Sequence, residues 1–176
     1  MAARALLLDR DGVINVDHGY VHTIDRFDPV PGIFDLGRRA HDLGYRLVVV
    51  TNQSGIARGL YSEAQYQELT RWMERRFAAE GAPLAAVLHS PFHSEGAVAE
   101  YRRDSFWRKP APGMLLEAAA RLGLDLAASL LIGDHARDLE AARRAGVGRR
   151  VFVGQQIEDA DLAVTDLRDP RLLALL

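Results

Sequence analysis

The segment Ala5-Leu6-Leu7-Leu8-Asp9-Arg10-Asp11-Gly12-Val13 is an apolar run that ends in two aspartates two positions apart. A short leucine run bounded by glycine is typical of a buried strand. Because side chains alternate along a strand, this pattern predicts both carboxylates on one side and Arg10 on the other. Two like charges so close repel unless a cation lies between them, and Mg²⁺ prefers such oxygen ligands together with a substrate phosphate. The segment therefore predicts metal-assisted phosphoryl chemistry at a strand end.

Further apolar runs alternate with helical patterns along the rest of the chain. Strands that alternate with helices favour a parallel sheet covered on both faces. We therefore expect an α/β fold, a Rossmann-like doubly wound sheet, in a single domain over residues 1–176. The predicted strands are Leu6–Asp9, Arg46–Thr51, Ala85–His89, Ser129–Ile132 and Arg150–Val153; the predicted helices run from Ile33 to a stop at Gly44, from Ser62 to a stop at Gly81, over Pro112–Leu122 and over Arg137–Ala145.

Composition excludes several classes of protein. With 176 residues, 48% hydrophobic and 26% charged, the chain is long enough for one domain with a full core. A net charge of −2 gives no reason to expect nucleic acid or an anionic membrane as a partner. The absence of cysteine excludes disulfides and thiolate metal sites. The apolar start stops at Asp9, too early for a signal peptide, and no apolar stretch approaches the roughly 20 residues of a membrane helix.

Polar residues gather where the predicted strands end. The second strand runs into Thr51-Asn52-Gln53-Ser54-Gly55, the fourth into Gly133-Asp134, and Arg108-Lys109-Pro110 adds positive charge before a helix. In doubly wound sheets the ligand crevice lies outside the carboxyl ends of the strands. Segments from distant parts of the chain therefore converge on one predicted site.

The two aspartates of the first segment suit different tasks. Asp9 is the candidate nucleophile, since a carboxylate can accept a phosphoryl group that water later removes. Asp11 can protonate the leaving oxygen and later take a proton from water, with its backbone carbonyl left for the metal. Asp11 as a second metal carboxylate without a proton role is the alternative. A calcium loop is a further alternative, but it needs glycine at the sixth position, and Gly12 falls fourth.

Four other residues are candidates for the site, and three of them have both a functional and a structural interpretation. Thr51 offers a hydroxyl to a phosphoryl group, or it caps a helix. Lys109 is a compact charge suited to a transferring phosphoryl group, or it is solvated surface. Asp134 is a further metal carboxylate. Asp138, one turn on, caps the following helix or reaches the metal through water.

Two histidines, His89 and His93, flank Ser90-Pro91-Phe92 and raise the alternative of a zinc site. Structural zinc needs four closed ligands, and no thiolate is present to complete such a set. We therefore expect these histidines to serve as surface or core residues.

The motifs as a set resemble those of haloacid dehalogenase superfamily phosphatases, in the same order and over nearly the whole chain. The resemblance implies a haloacid dehalogenase-like fold with a minimal cap domain or none, and a Mg²⁺-dependent phosphoric monoester hydrolase. It assigns catalysis to Asp9, Asp11, Thr51 and Lys109, and the metal to Asp9, the carbonyl of Asp11, and Asp134. The matching motifs are Asp9-x-Asp11-Gly12-Val13, Thr51 after a valine run, Lys109 before proline, and Gly133-Asp134-x-x-x-Asp138.

Within that superfamily, Thr51–Gly59 and Asp17-His18-Gly19-Tyr20 resemble the D-glycero-D-manno-heptose 1,7-bisphosphate 7-phosphatases. This resemblance implies a cytoplasmic monomer that removes the 7-phosphate of a small sugar phosphate, on the route to nucleotide-activated heptose for lipopolysaccharide. The similar histidinol-phosphate phosphatases usually carry an acidic residue where Ser54 stands, so they, or phosphatases of other small esters, are the alternative. A catalytically silent phosphate-binding module is the alternative of another class. The residues implied to face the substrate are Asp17, His18, Gly19, Tyr20, Asn52, Gln53, Ser54, Arg108 and His135.

Two departures from the family pattern carry expectations of their own. Many members hold zinc in a Cys-x-His…Cys-x-Cys loop, where this chain has Ser90-Pro91-Phe92 and Ser105-Phe106-Trp107. We therefore expect no zinc, and a loop held instead by joint burial of its three aromatic side chains. His135 stands where a lysine often follows the motif aspartate, which predicts a pH-dependent contact with the substrate.

Overall fold

The computed structural model describes residues 2–155 and 157–176 of the chain. In this part of the chain, six strands form one entirely parallel sheet in the order β3-β2-β1-β4-β5-β6. The strands are β1 (Ala5–Leu8), β2 (Arg46–Asn52), β3 (Leu84–Ser90), β4 (Leu130–Gly133), β5 (Arg149–Val153) and β6 (Leu162–Val164). The α-helices are α1 (Ile33–Asp42), α2 (Ser54–Ala57), α3 (Glu63–Ala79), α4 (Gly113–Leu122), α5 (Ala136–Ala145) and α6 (Pro170–Leu173).

Strand β1 lies at the centre of the sheet and is buried on both faces. Leu6 and Leu8 join the core on one face, whereas Ala5 and Leu7 join the core on the other. Helices α1, α3 and α6 cover the first core, and α4 and α5 cover the second. This two-sided burial is why the strand consists of consecutive apolar residues instead of an alternating pattern.

The doubly wound α/β prediction is confirmed, and the five predicted strands occur within a residue or two of the expected bounds. The sixth strand, β6, and the helices α2 and α6 were not predicted, because segments of three or four residues are too short to show periodicity. Strand β1 ends at Leu8, so Asp9 and Asp11 lie in the turn that follows it.

Two long connections lie over the carboxyl ends of the strands, residues 9–32 and 91–112. Each contains a single 3₁₀ turn, at Ile24–Arg26 and Ala99–Tyr101, and neither contains a folded insertion. The expectation of a minimal cap is therefore confirmed for the described chain. Among the helices described, none combines the length and the hydropathy needed to cross a membrane.

Candidate active site

The site lies at the point where the strand order reverses, between β1 and β4. Asp9 follows β1 directly, and Asp134 follows β4 directly. The two turns approach closely at Gly12, whose φ is +87°, and a Cβ there would overlap the Asp134 carboxylate. Glycine at this position therefore allows the two aspartate-bearing turns to meet.

Lys109 links the carboxylates of the site. Its Nζ lies 3.0 Å from Asp9 Oδ1 and 2.8 Å from Asp138 Oδ1, and it donates a hydrogen bond to the Val50 carbonyl at 2.7 Å. The Asn52 side chain holds the lysine backbone from both sides: its Nδ2 donates to the Lys109 carbonyl (2.9 Å), and its Oδ1 accepts from the Lys109 N–H (3.0 Å). Only 1% of Lys109 is exposed, so the interpretation as solvated surface is wrong.

Burial sets the protonation equilibria of this cluster. Burial raises the pKa of Asp9 to about 7, since the attraction of Lys109 is opposed by repulsion from Asp138 and Asp134. Burial also opposes the charge on Lys109, but Asp138 and Asp9 outweigh it and raise the pKa of the lysine. Desolvation acts against ionised Asp138 too, yet Lys109 prevails and lowers the pKa of that carboxyl. Burial raises the pKa of Asp134 as well, despite its hydrogen bond with His135, so Asp9 and Asp134 are the two carboxyls of the cluster whose charge is not fully compensated.

The described residues fit a magnesium ion at this point. Atoms able to bind a metal from Asp9, Asp134, His135 and Asp138 all lie within 4.8 Å of one another. Asp138 is already engaged, because it pairs with Lys109 and accepts from the His135 N–H (3.0 Å) as a cap of α5. Asp9 Oδ2 and the Asp11 carbonyl accept no hydrogen bond within the described chain. Oxygen donors with free lone pairs are what Mg²⁺ needs, with water and phosphate completing its shell.

The Asp11 carboxylate is held by three side chains. Arg10 Nη2 donates to both of its oxygens at 2.8 and 2.9 Å, Asn15 Nδ2 donates at 3.1 Å and Gln53 Nε2 at 3.1 Å. The prediction that Arg10 points away from Asp11 is therefore wrong. Strand β1 ends before either residue, and the Arg10 carbonyl then accepts the N–H groups of Ile14 and Asn15, so the chain turns too tightly for strand alternation to apply.

Thr51 lies at the end of β2, and its Oγ1 accepts a hydrogen bond from Gln53 Nε2 at 2.9 Å. The same glutamine accepts from the Tyr61 hydroxyl. The alternative interpretation of Thr51 as a helix cap is wrong, because the residue that precedes α2 is Gln53. Gln53 therefore connects the phosphoryl-binding candidate Thr51 with the acid/base candidate Asp11.

A crevice of about 430 Å³ opens above these residues. It brings together every predicted substrate-facing residue except His18, whose Nε2 lies 2.6 Å from Asp28 Oδ2. Four lining residues were not predicted, although Arg58 and Arg137 lie inside the motifs that carried the family resemblance. The lining residues are Asp11, Asp17, Gly19, Tyr20, Asn52, Gln53, Ser54, Arg58, Tyr61, His93, Arg108, His135 and Arg137.

The outer part of the crevice is crowded with cationic side chains. Partial burial, and then the charges of Arg137 and Arg58, lower the pKa of Arg108. Desolvation, and then Arg58 and Arg108, lower the pKa of His93, whose Nε2 lies 3.0 Å from Arg58 Nη2. Within the described chain none of these three arginines forms an ion pair with a carboxylate. This end of the crevice is therefore complementary to an anion.

The connection of residues 91–112 is held by a hydrogen bond and a cation–π contact, and not by the joint burial of three aromatic side chains that the sequence predicts. Trp107 Nε1 donates to the His89 carbonyl at 2.6 Å, and the Arg103 guanidinium lies 4.1 Å from the centre of the Phe92 ring. Phe106 is 62% exposed, so the predicted joint burial of three aromatic side chains is wrong. Because Trp107 packs inward, its neighbour Phe106 faces solvent.

The histidines considered for zinc are engaged elsewhere. His89 Nε2 lies 2.8 Å from Glu63 Oε1, and His93 contacts Arg58. Neither joins a group of potential metal ligands among the residues described. The absence of zinc nonetheless stays a prediction.

Comparison with known proteins gives consistent results. A family model described as HAD-hydrolase-like matches residues 106–172. The chain is 50% identical over 149 residues to a D-glycero-beta-D-manno-heptose-1,7-bisphosphate 7-phosphatase of Escherichia coli (strain K12), over 85% of this chain and 78% of that protein. It is 47% identical over 175 residues to a D-glycero-alpha-D-manno-heptose-1,7-bisphosphate 7-phosphatase of Burkholderia mallei, over 97% of this chain and 92% of that protein. Among solved structures, the chain resembles a D,D-heptose 1,7-bisphosphate phosphatase from B. bronchiseptica, which was solved in complex with magnesium and phosphate. The two superpose with a TM-score of 0.80 at 29% sequence identity, over 98% of this chain and 96% of that one.

Proposed function

The chain belongs to the heptose-1,7-bisphosphate 7-phosphatases, a family of haloacid dehalogenase-like hydrolases, and we propose that it removes the 7-phosphate of D-glycero-D-manno-heptose 1,7-bisphosphate. One observation carries the substrate assignment. The crevice is lined on one side by Asp11 and His135, which adjoin the cluster of Asp9, Lys109 and Asp134, and elsewhere by arginines that form no ion pair with a carboxylate in the described chain. A sugar with a phosphate at each end matches both groups of residues, with one phosphate at the aspartate and lysine cluster (the inner residues) and the other at the arginines (the outer residues).

The inner residues account for hydrolysis in two steps. Asp9 attacks the 7-phosphorus, and the ester P–O bond breaks as Asp11 gives its proton to the leaving sugar oxygen. Asp11 then takes a proton from the water that attacks the aspartyl phosphate, which releases phosphate and restores Asp9. Lys109 and Thr51 stabilise charge on the transferred group. When bound by Asp9, Asp134 and the Asp11 carbonyl, Mg²⁺ would neutralise part of the phosphoryl charge.

The outer residues favour a bisphosphate over histidinol phosphate. Histidinol carries an ammonium group and an imidazole, which the outer arginines would repel. Among the described residues that line the crevice, the carboxylates are Asp11 and Asp17, against three arginines, so the lining as a whole favours an anion. A silent phosphate-binding module is not favoured either, since binding alone requires neither a nucleophile nor a buried lysine between two carboxylates.

The finer expectations belong to the same proposal. We place the enzyme in the cytoplasm, in the synthesis of nucleotide-activated heptose for lipopolysaccharide, as a single-domain monomer without nucleic acid or membrane partners. Mg²⁺ is its only expected metal. These points rest on the family resemblance and on the composition of the chain.

A comparison of substrates tests the proposal. We expect Mg²⁺-dependent release of phosphate from the heptose 1,7-bisphosphate, with kcat/KM at least about tenfold above that for histidinol phosphate, since one charged hydrogen bond alone contributes roughly 1.5–3 kcal/mol. Both anomers of the bisphosphate should be assayed, because the relatives differ in anomer. Asp9→Asn, which keeps the shape but not the nucleophile, is the matched control and should show no turnover. Equal or better hydrolysis of histidinol phosphate would overturn the substrate assignment, and full activity of the variant would overturn the covalent mechanism.

A further inference from the structure

Arg10 is one of the largest fully buried side chains, with 1% exposure. Its Nη2 donates to both oxygens of Asp11 and to the Val21 carbonyl, at 2.8, 2.9 and 2.6 Å. Its Nε and Nη1 are buried without a hydrogen-bond partner within the described chain. A single nitrogen of this guanidinium thus makes all of its observed hydrogen bonds.

Burial of a charged group in this way is unfavourable for stability. Removing a guanidinium from water carries a large desolvation penalty, which one ion pair does not fully repay, and an apolar side chain of similar volume commonly stabilises such a position better. Two of the three nitrogens of Arg10 donate no hydrogen bond within the described chain. Packing alone therefore does not explain an arginine at position 10. Its contact with the Asp11 carboxylate offers a functional reason.

The contacts of Arg10 define the orientation of Asp11. The guanidinium touches both carboxylate oxygens, whereas Asn15 and Gln53 each donate one hydrogen bond to one oxygen. Arg10 is itself anchored on the carbonyl of Val21, a residue with no exposed surface. Asp11 meanwhile lines the crevice and retains partial exposure. A rigid buried cation therefore holds a carboxylate that faces the substrate space.

We propose that Arg10 is a positioning residue for proton transfer, one that keeps Asp11 oriented toward the leaving oxygen of the phosphate ester. A general acid works only within hydrogen-bond reach of the atom it protonates, so a small displacement is costly to the rate. The inference rests on the proposed phosphatase activity, with Asp11 as its acid. Arg10 does not touch the phosphoryl group in this arrangement. Its effect is exerted through Asp11.

The dependence of kcat/KM on the leaving group distinguishes a positioning role from a purely structural one. A structural role alone would not change this dependence. Phenyl phosphate and 4-nitrophenyl phosphate share their shape and single phosphate, but phenolate is the more basic leaving group and needs the proton more. We expect Arg10→Met to lower kcat/KM for phenyl phosphate at least about tenfold more than for 4-nitrophenyl phosphate, at saturating Mg²⁺, since general acid catalysis contributes about 10²–10⁴-fold. The ratio of the two values is independent of how much active enzyme is present.

Two further variants keep the test decisive. Ser90→Ala removes a buried hydroxyl that lacks a hydrogen-bond partner in the described chain, and it should leave the ratio unchanged. Arg10→Gln removes the cation but keeps a polar side chain beside Asp11; it should lower the ratio as Arg10→Met does, and it decides the question if the methionine variant does not fold in thermal unfolding. Equal losses on both esters, or an unchanged ratio in folded Arg10→Met or Arg10→Gln, would overturn the inference alone. A wild-type enzyme inactive on both esters and on the heptose bisphosphate would overturn the proposed function, and the role of Arg10 with it.

Discussion

Lys109 lies among the three aspartates of the inner site. Lys109 contacts Asp9 and Asp138 directly, and Asp134 lies close to both carboxylates. Burial, and then repulsion from Asp138 and Asp134, raise the pKa of Asp9 to about 7 despite the attraction of Lys109. Burial also disfavours ionised Asp138, but Lys109, with a smaller contribution from Arg137, outweighs it and lowers the pKa of that carboxyl.

The raised pKa of Asp9 predicts how metal-free stability depends on pH. Between the unfolded pKa of 3.8 and the folded pKa of about 7, the folded state binds more protons than the unfolded state. The contribution of Asp9 to the free energy of unfolding is therefore complete below the unfolded pKa, and it is lost as pH rises through about 7. In EDTA we expect this group to make the protein about 2 kcal/mol less stable to urea at pH 8 than at pH 5.5.

Asp9→Asn supplies the control for that measurement. The variant should lack this part of the pH dependence, and Mg²⁺ should stabilise the wild type at pH 8 more than the variant. Identical pH dependence in the two proteins would show that Asp9 is not the titrating group.

Arg108 predicts specificity at the outer end of the crevice. Its guanidinium offers a bidentate fork to phosphate oxygens, and its nearest charged neighbours are other arginines. We expect Arg108→Ala to lower kcat/KM for the heptose bisphosphate at least about tenfold, a loss of roughly 1.5–3 kcal/mol, with a small effect on an aryl monophosphate. Arg39→Ala, an exposed position on α1, is the matched control. Equal losses on both substrates would place Arg108 at the transferred phosphate instead.

At the level of elements, the close approach of the turns after β1 and β4 makes Gly12 a sensitive position. A methyl group there would overlap the Asp134 carboxylate, and a φ of +87° is unfavourable for alanine as well. We expect Gly12→Ala to weaken activation by Mg²⁺ and to lower stability. Gly44→Ala is the matched control, since Gly44 has a φ of +86° with nothing within 4 Å of the added Cβ. Loss of Mg²⁺ activation in both variants would trace the effect to backbone strain alone.

The connection after β3 predicts the metal content. Trp107 binds the His89 carbonyl, Arg103 stacks on Phe92, and Ser90 is buried in the strand. Such groups cannot replace thiolates in a closed tetrahedral site. We expect elemental analysis of the purified protein to find no stoichiometric zinc, and activity lost to a chelator to return with Mg²⁺ alone. One tightly held zinc ion per chain would contradict this and would make His89 and His93 candidate ligands again.

Elements with strong patterns were predictable from sequence, and contacts across turns were not. The meeting of the Asp9 and Asp134 turns follows from parallel strand ends sharing one edge. The orientation of Arg10 does not, because β1 ends at Leu8 whereas the alternation argument needs the strand to continue to Asp11. The roles of Arg58 and Arg137 were missed for a related reason. Arg58 follows the four-residue helix α2 and Arg137 lies in the first turn of α5, and the sequence pattern does not define toward which residues either side chain points.

For the whole molecule, the two cores lie back to back on one sheet. Trp72 packs against the core that contains Leu6 and Leu8, and Trp107 packs against the core that contains Leu7. These are the only two tryptophans in the chain. Fluorescence of Trp72→Phe and Trp107→Phe therefore reports unfolding on one face at a time.

We expect each variant to unfold in one transition that coincides with its own circular dichroism, because both faces depend on the same central strand. This result would support the predicted single domain over residues 1–176. A fluorescence transition separated from the circular dichroism transition would show that the two faces unfold independently.

The paired hydrogen bonds between Asn52 and the Lys109 backbone also bear on how such enzymes diversify. They fasten the lysine backbone to the end of β2, a contact that does not involve the chain between β3 and residue 108. Insertions or deletions in that segment can therefore accumulate without removing this contact. The segment between β3 and residue 108 can in this way change during evolution, whether or not it binds a metal, while the residues that carry out phosphoryl transfer are retained.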